Sequence, residues 1–427
     1  MKVKSFFKIV PLGLLLIVAA CDQTGASHNS SNSDSGIIVS SSSSSESSQP
    51  IASSSNVPDN HELRFELSED GTYYTVYGIN LSVTRDRVII PSEYNGLPVT
   101  TIGEKAFQNY GFITEVVVPS SITTICKYAF EYTDIKSFVF AENIKTVEDY
   151  AFASSLLETV TIPYSITNLG SHVFESCYRL KSATIEEGFE TTGIGTFMYC
   201  KNLKQVALPK TLKTISDSAF RSCGFVDLVV PNTIERIERY AFEGTESLRS
   251  VVISDGVKYI GTCAFASCNY LETITIADSA TFIDAVAFSC CFRLKTAKLP
   301  KDIIEIGAYF FDECYDLISL EIPDKVEKIG FGAFKRCWVL ENLVIPSSVK
   351  SIYSDAFNEC NAINLYYAGT QLDWNNISFP RIGEDEKYES DWLEKVYYYS
   401  ESKPAEEGRY WHYVNGTPTK WNTSDNN

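Results

Sequence analysis

The chain has 427 residues, with 36 Lys+Arg against 54 Asp+Glu for a formal charge of −18, and 44% of its residues are hydrophobic. That composition is globular, and its acidity speaks against a nucleic-acid partner, because a phosphate-binding surface needs a Lys/Arg surplus. Mean hydropathy near zero leaves no room for a polytopic membrane protein, and four scattered histidines (His28, His61, His172, His412) do not suit a multi-histidine metal site.

Residues 1–21 read as a targeting device. Lys2, Lys4 and Lys8 form a basic start, and the apolar run from Ile9 to Ala20 is too short for a mature membrane helix but suits the core of a signal peptide. It ends in Val18-Ala19-Ala20-Cys21, which resembles a bacterial lipobox. That resemblance implies a diacylglycerylated Cys21 at the mature N-terminus, with several acyl chains giving the firm membrane anchoring that one chain cannot. Residues 22–58 then form a linker in which 16 of 37 residues are Ser. Such a tether is a flexible coil with a root-mean-square span of about 30–35 Å.

Residues 59–98 read as a small β cap. Leu63 to Leu67 alternates apolar and polar, Asp70-Gly71 turns the chain into Thr72 to Tyr77, and a strand at Arg87 to Pro91 is followed by a turn at Asn95-Gly96. From residue 99 to 365 one motif recurs twelve times. Its Phe stands at 107, 130, 152, 174, 197, 220, 242, 265, 288, 311, 334 and 357, always 22 or 23 residues apart. Between the Phe residues lies Leu-x-x-Val-x-Ile-Pro, as at Leu157 to Pro163 and Leu317 to Pro323, which describes a short strand closed by Pro. A unit of this size cannot bury its own apolar face, so the expected fold is a repeat solenoid: about twelve stacked coils with short parallel strands and β caps at both ends. Thr192 and Ala280 replace the usual large apolar residues, and looser packing is expected at their coils.

The full repeat, Leu-x-x-Val-x-Ile-Pro-x-x-Val-x-x-Ile-Gly-x-x-Ala-Phe-x-x-Cys, resembles the BspA-like (treponemal-type) leucine-rich repeat of bacterial surface proteins. The segment Pro91 to Pro98 is similar to the β cap that precedes such arrays. The resemblance implies surface adhesion or binding, with no catalytic residue shared across the family and no ligand named by it.

Eight of the twelve cysteines stand three residues after the repeat Phe: Cys177, Cys200, Cys223, Cys268, Cys291, Cys314, Cys337 and Cys360. Thr245 divides this column into three and five, both odd, and stacked Cβ atoms about 4.8 Å apart are too far for disulfides. The column therefore reads as reduced core thiols, with Cys290 on the adjacent surface, and a serine at 291 would bury a hydroxyl lacking a partner at a cost of about 1–3 kcal/mol. No metal site, cofactor or catalytic constellation emerges. His172 falls on a surface position, Glu186-Glu187 and Glu406-Glu407 read as solvated loops, and Gly383 to Glu386 lacks the ligand pattern of a calcium loop.

The outward strand positions carry the functional reading. One row runs Val117, Val139, Thr161, Thr184, Ala207, Val229, Val252, Thr275, Lys298, Glu321 and Val344, nearly uncharged on a strongly acidic chain. Its middle, Thr161, Thr184, Ala207, Val229, Val252 and Thr275, is the candidate binding face for a protein or glycan partner. β propensity alone would also place Val and Thr there. Residues 366–427 carry four of the five Trp residues (Trp374, Trp392, Trp411, Trp421) and read as a cap closing the last coil, with sugar stacking as the alternative that an exposed Trp would favour. The expected protein is an exported, lipid-anchored, non-enzymatic cell-surface binder. The rival readings are a cell-wall or glycan-processing enzyme acting through the tail, and a structural spacer or coat protein without a discrete ligand.

Overall fold

The computed structural model describes residues 62–80, 86–353, 355–360, 363–381, 391–405 and 408–421, all within one unit spanning 35–427, together with the two-residue strand Val39–Ser40. Residues 1–21, the rest of the Ser-rich stretch and Gly383 to Glu386 lie outside the described residues.

Each coil is organised around its Phe. The twelve rings form one continuous column, with neighbouring centroids 5.1–5.9 Å apart and the rings near parallel. All twelve are buried. Two tight turns hold each ring in place. The residue two before the Phe is left-handed in eleven coils, and the residue two after it in all twelve, for example Tyr240 (φ 58°) and Gly244 (φ 66°) around Phe242. Few of these positions are glycine, although side chains disfavour that conformation. Stacking offsets the strain, because the turn amides bond from coil to coil, as in Phe197 N–H to Ala219 O (3.0 Å) and Tyr199 N–H to Arg221 O (2.8 Å). Gly195 is glycine for a second reason: a Cβ there would fall 2.3 Å from Nδ1 of His172.

Two ladders of parallel strands run along the stack. The short ladder uses the residue pair just before the Gly position, such as Arg236–Ile237, Tyr259–Ile260 and Phe282–Ile283 in register. At its start Leu97–Ile102 pairs with Tyr74–Ile79, which forms an antiparallel hairpin with Leu63–Leu67 across the Asp70-Gly71 turn. The hairpin thus covers the ladder's first edge. This ladder stops at both coils expected to pack loosely. Only the bridge Thr191↔Thr214 crosses the Thr192 coil, and no pairing joins Phe282–Ile283, beside Ala280, to Glu305–Ile306. Thr192 is nevertheless fully buried and satisfied, its hydroxyl accepting from Ser216 N–H (2.9 Å) and its carbonyl from the Thr196 hydroxyl (2.7 Å).

The long ladder uses the Val-x-Ile strands and is not one continuous sheet. It is broken in four places among the described residues: between Glu115–Val117 and 136–141, which forms no strand, between 136–141 and Thr159–Ile162, between Gln205–Leu208 and Asp227–Val230, and between Ser319–Leu320 and Asn342–Ile345, where only the bridge Glu321↔Val344 crosses. The first three breaks coincide with the three 22-residue coils, while the fourth falls between coils of 23 residues. In each 22-residue coil, the segment between the thiol-column position and the core residue that begins the strand is one residue short: Thr133-Asp134-Ile135, Ser155-Leu156-Leu157 and Cys223-Gly224-Phe225, against Cys177-Tyr178-Arg179-Leu180. Both ends of that segment are pinned in the core, Ile135, Leu157 and Phe225 all being buried. One residue is about 3.3 Å of reach, and its loss draws the strand away from its predecessor. Val139, on the first short coil, is 84% exposed and belongs to no strand.

Every column cysteine is free and buried. Each Sγ lies 3.0–3.4 Å from the carbonyl oxygen of the Phe one coil earlier, as for Cys200 to Phe174 O and Cys291 to Phe265 O. Thr245 does not interrupt this pattern, because its hydroxyl makes the same contact to Phe220 O at 3.5 Å. The column therefore supplies an acceptor to any small donor, which corrects the expected cost of a serine. Cys291→Ser should cost only about 1 kcal/mol, the scale of one buried hydrogen bond made slightly less well, as read from denaturant midpoints. Burial pushes the Cys291 and Cys360 thiols up to about 12, so native protein at neutral pH should resist alkylation and label at most column positions once unfolded. Mass spectra dominated by disulfide-linked neighbouring coils would contradict this. Cys290, expected at the surface, is 3% exposed and occupies one of the left-handed turn positions.

At the far end Asn342–Ile345, Asn364–Tyr367 and Val396–Tyr399 continue the long ladder into the hairpin Tyr410–Val414/Thr417–Lys420. Trp374, Trp392 and Trp411 are buried there, and Trp411 Nε1 donates to Tyr367 O at 2.8 Å.

Candidate functional site

The six residues of the candidate face all point away from the core, on strands whose alternate residues are buried. The ladder sets them in two rows of three. Thr161, Thr184 and Ala207 are laterally paired, as are Val229, Val252 and Thr275, but Ala207 and Val229 are not joined. Val229 and Val252 are each 42% exposed, adjacent apolar surface on an outward face. The flanking row, Thr159, Ser182, Gln205, Asp227, Ser250 and Thr273, adds one carboxylate, Asp227, which accepts from the Ser250 hydroxyl. These outward residues thus form a nearly uncharged face that is divided at its centre, between Ala207 and Val229.

Charge collects at the strand entrances. Glu158 pairs with Lys181 at 2.8 Å, and Glu272 with Lys295 at 2.6 Å and Arg249 at 3.4 Å, each linking one coil to the next. Lysine hydrogen bonding and charge hold the Glu158 and Glu272 carboxyls below their ordinary range. Exposed pairs of this kind add little stability, but they frame the neutral stripe.

Sequence reasoning missed a second feature. Lys295, Asp316, Ile318, Val339, Glu341 and Asn342 line an open cleft of about 490 Å³. Beside it Phe292, Tyr315 and Trp338 stack at 5.0 and 4.0 Å, with Trp338 44% exposed. The available signal was Ile318, apolar at a position where neighbouring coils carry Glu272, Lys295 and Glu341. In the tail, by contrast, three of the four Trp residues are buried and Trp421 is half-buried, its Nε1 donating to Ser400 O.

His172 is not the exposed surface residue expected. It is half-buried, stacked on Tyr150 at 4.9 Å and paired with Glu175 at 2.8 Å. Among the described residues no group of three or more His, Cys, Asp or Glu is placed to hold a metal ion, and no helix is long and apolar enough to cross a membrane.

One carboxyl is perturbed strongly. Asp312 is 4% exposed, and burial, with the neighbouring Glu313 charge, pushes it up to about 7 despite Lys335 and Arg336 nearby. Glu313 itself is paired with Arg336. Because the folded state holds the Asp312 proton more tightly than the unfolded chain, this group's own contribution is most favourable below about pH 4, falls as pH rises from about 4 to 7, and is flat above. Asp312→Asn should remove that slope and raise stability at pH 8 by about 1–3 kcal/mol. Denaturation across pH 4–8 checks this, and an unchanged slope in the variant would contradict it.

A stack of parallel coils with 22–23-residue periodicity and an internal Phe column is a leucine-rich repeat solenoid. A family model described as the BspA type leucine rich repeat region, in six copies, matches residues 100–227 and 235–364, and the chain belongs to that family. Similar solved structures include a leucine-rich repeat protein from Bacteroides ovatus (20% identity, covering 73% of this chain and 99% of that one, TM-score 0.48). A leucine rich cell surface protein from Faecalibacterium prausnitzii is 25% identical over 79% of this chain and 100% of that one, at TM-score 0.43. The pneumococcal vaccine antigen PcpA is 18% identical over 77% and 98%, at TM-score 0.49. No curated protein matches the chain.

Proposed function

We propose that this chain is an exported, lipid-anchored cell-surface protein, without enzymatic activity, that binds a macromolecular partner, protein or glycan, on the outward face of its solenoid. The observation that carries the reading is the outward, nearly uncharged stripe through Thr161, Thr184, Ala207, Val229, Val252 and Thr275 on a chain of charge −18. Extended faces of this kind are how stacked repeats engage large ligands, and membership of a repeat family supports binding in general. The basic, apolar and small-residue order ahead of Cys21 supports the anchor. Residues 366–427 serve in this reading as the closing cap, in keeping with their buried Trp residues.

Anchoring and capture are tested together. Cys21→Ala should shift the protein from the membrane fraction to the soluble or uncleaved precursor pool, while the full chain should retain capture of one component from a panel of host matrix proteins and bacterial glycans. Mature, membrane-bound Cys21→Ala protein would defeat the anchor, and hydrolysis of a glycan in the panel would revive the enzyme.

A further inference from the structure

The break between Gln205–Leu208 and Asp227–Val230 leaves an open strand edge in the middle of the candidate face. Such an edge is a row of backbone donors and acceptors ready to pair with another strand. In the structure Val39–Ser40 takes it, running parallel with Val39 opposite Ala207 and Ser40 opposite Leu208. Ala207 is the smallest side chain in the outward row from Val117 to Val344, and a small residue leaves most room for a strand alongside. The pairing segment is also distinct within residues 22–58. Val39 closes Ile37-Ile38-Val39, three β-branched residues in succession in a stretch dominated by Ser, and such residues favour strands.

We infer that the edge of Gln205–Leu208 is a strand-docking site whose occupant is this chain's own strand Val39–Ser40, bound by β-augmentation, with main-chain hydrogen bonds supplying affinity. Reach permits it. The Phe column advances about 22 Å from Phe107 to Phe197, and the 22 residues from Ser40 to Glu62 have a root-mean-square span of about 23–28 Å. Tethering at a span matched to the gap gives an effective concentration on the order of millimolar, so a short strand suffices. The inference does not depend on what the face binds, although an occupied edge lies between the two rows of three.

The test uses the full chain carrying Val39→Cys and Ala207→Cys, treated under native conditions with a short bismaleimide, the buried native thiols being controlled by each single variant. A 39–207 link within one chain is expected, falling at least fivefold when Ile38→Pro and Ser40→Pro are added and holding steady with Ser55→Pro. Absence of the link, or a yield indifferent to the flanking prolines, would overturn the site. A link formed only between two chains would overturn the assignment to the chain's own segment in favour of a second copy's.

Discussion

Phe242→Ala is expected to destabilise the array by about 3–5 kcal/mol, the range for deleting a fully buried aromatic side chain. Phe242 is inaccessible to solvent, with ring contacts to Phe220 at 5.6 Å, Phe265 at 5.2 Å and Phe225 at 6.3 Å. The size of the loss depends on whether neighbours can relax into the space. Here they cannot easily do so, because the ring sits between two left-handed turns, at Tyr240 and Gly244, whose amides bond to the adjacent coil, as does Phe242 N–H to Ala264 O at 2.9 Å. The carbonyl of residue 242 would still accept from the Cys268 thiol, so the effect isolates the ring. Phe107→Ala, at the start of the column with one stacked neighbour, should cost less. Equal losses at the two positions, or a loss below about 1 kcal/mol at 242 in chemical denaturation, would show that the column is not the element that couples the coils.

Periodicity made the stack legible because burial recurs with the repeat: the Phe, Leu, Val and Ile positions of each coil could be assigned inward from spacing alone, and they are inward. Less legible was the lateral order of the long ladder. The spacing of 22 against 23 residues was visible, yet its meaning depends on where the missing residue falls. A deletion in a free surface loop would leave the strands paired, whereas this one lies between two pinned core positions, as in Cys223-Gly224-Phe225. Thr245 illustrates a different difficulty. By residue type it interrupts the cysteine column, but by hydrogen bonding it continues it, since the site selects a small side chain with a donor and sulfur is only one solution. His172 was misplaced because its residue type suggested the surface, whereas its position two residues before the Phe is exposed only at Lys105 and buried or half-buried in the other coils, and the Tyr128–Tyr150–His172 stack covers it from the preceding side.

Introducing charge at the candidate face should separate binding from folding. Val229→Lys with Val252→Lys is expected to weaken partner capture by several kcal/mol, a loss on the order of a hundredfold or more, because a lysine buried without a counter-charge in an interface carries an uncompensated desolvation cost. Both side chains point outward, are 42% exposed and pair directly across the ladder, so thermal stability should change by no more than about 0.5 kcal/mol per site. The comparison pair must lie off this face and be truly exposed. Thr245 is unsuitable, being fully buried, whereas Ser247 and Thr281 are both exposed and lie off the long ladder's outward row. Ser247→Lys with Thr281→Lys adds the same charge to the molecule, so any general electrostatic effect on an acidic chain appears equally in both pairs and cancels in the comparison. Binding titrations at two salt concentrations would show the difference directly. If both pairs weaken capture to the same degree, the face is not the recognition surface. If neither does and Trp338→Ala or Ile318→Ala does, recognition belongs to the cleft beside the Phe292–Tyr315–Trp338 stack, whose lining couples exposed apolar surface to the charges of Lys295, Asp316 and Glu341.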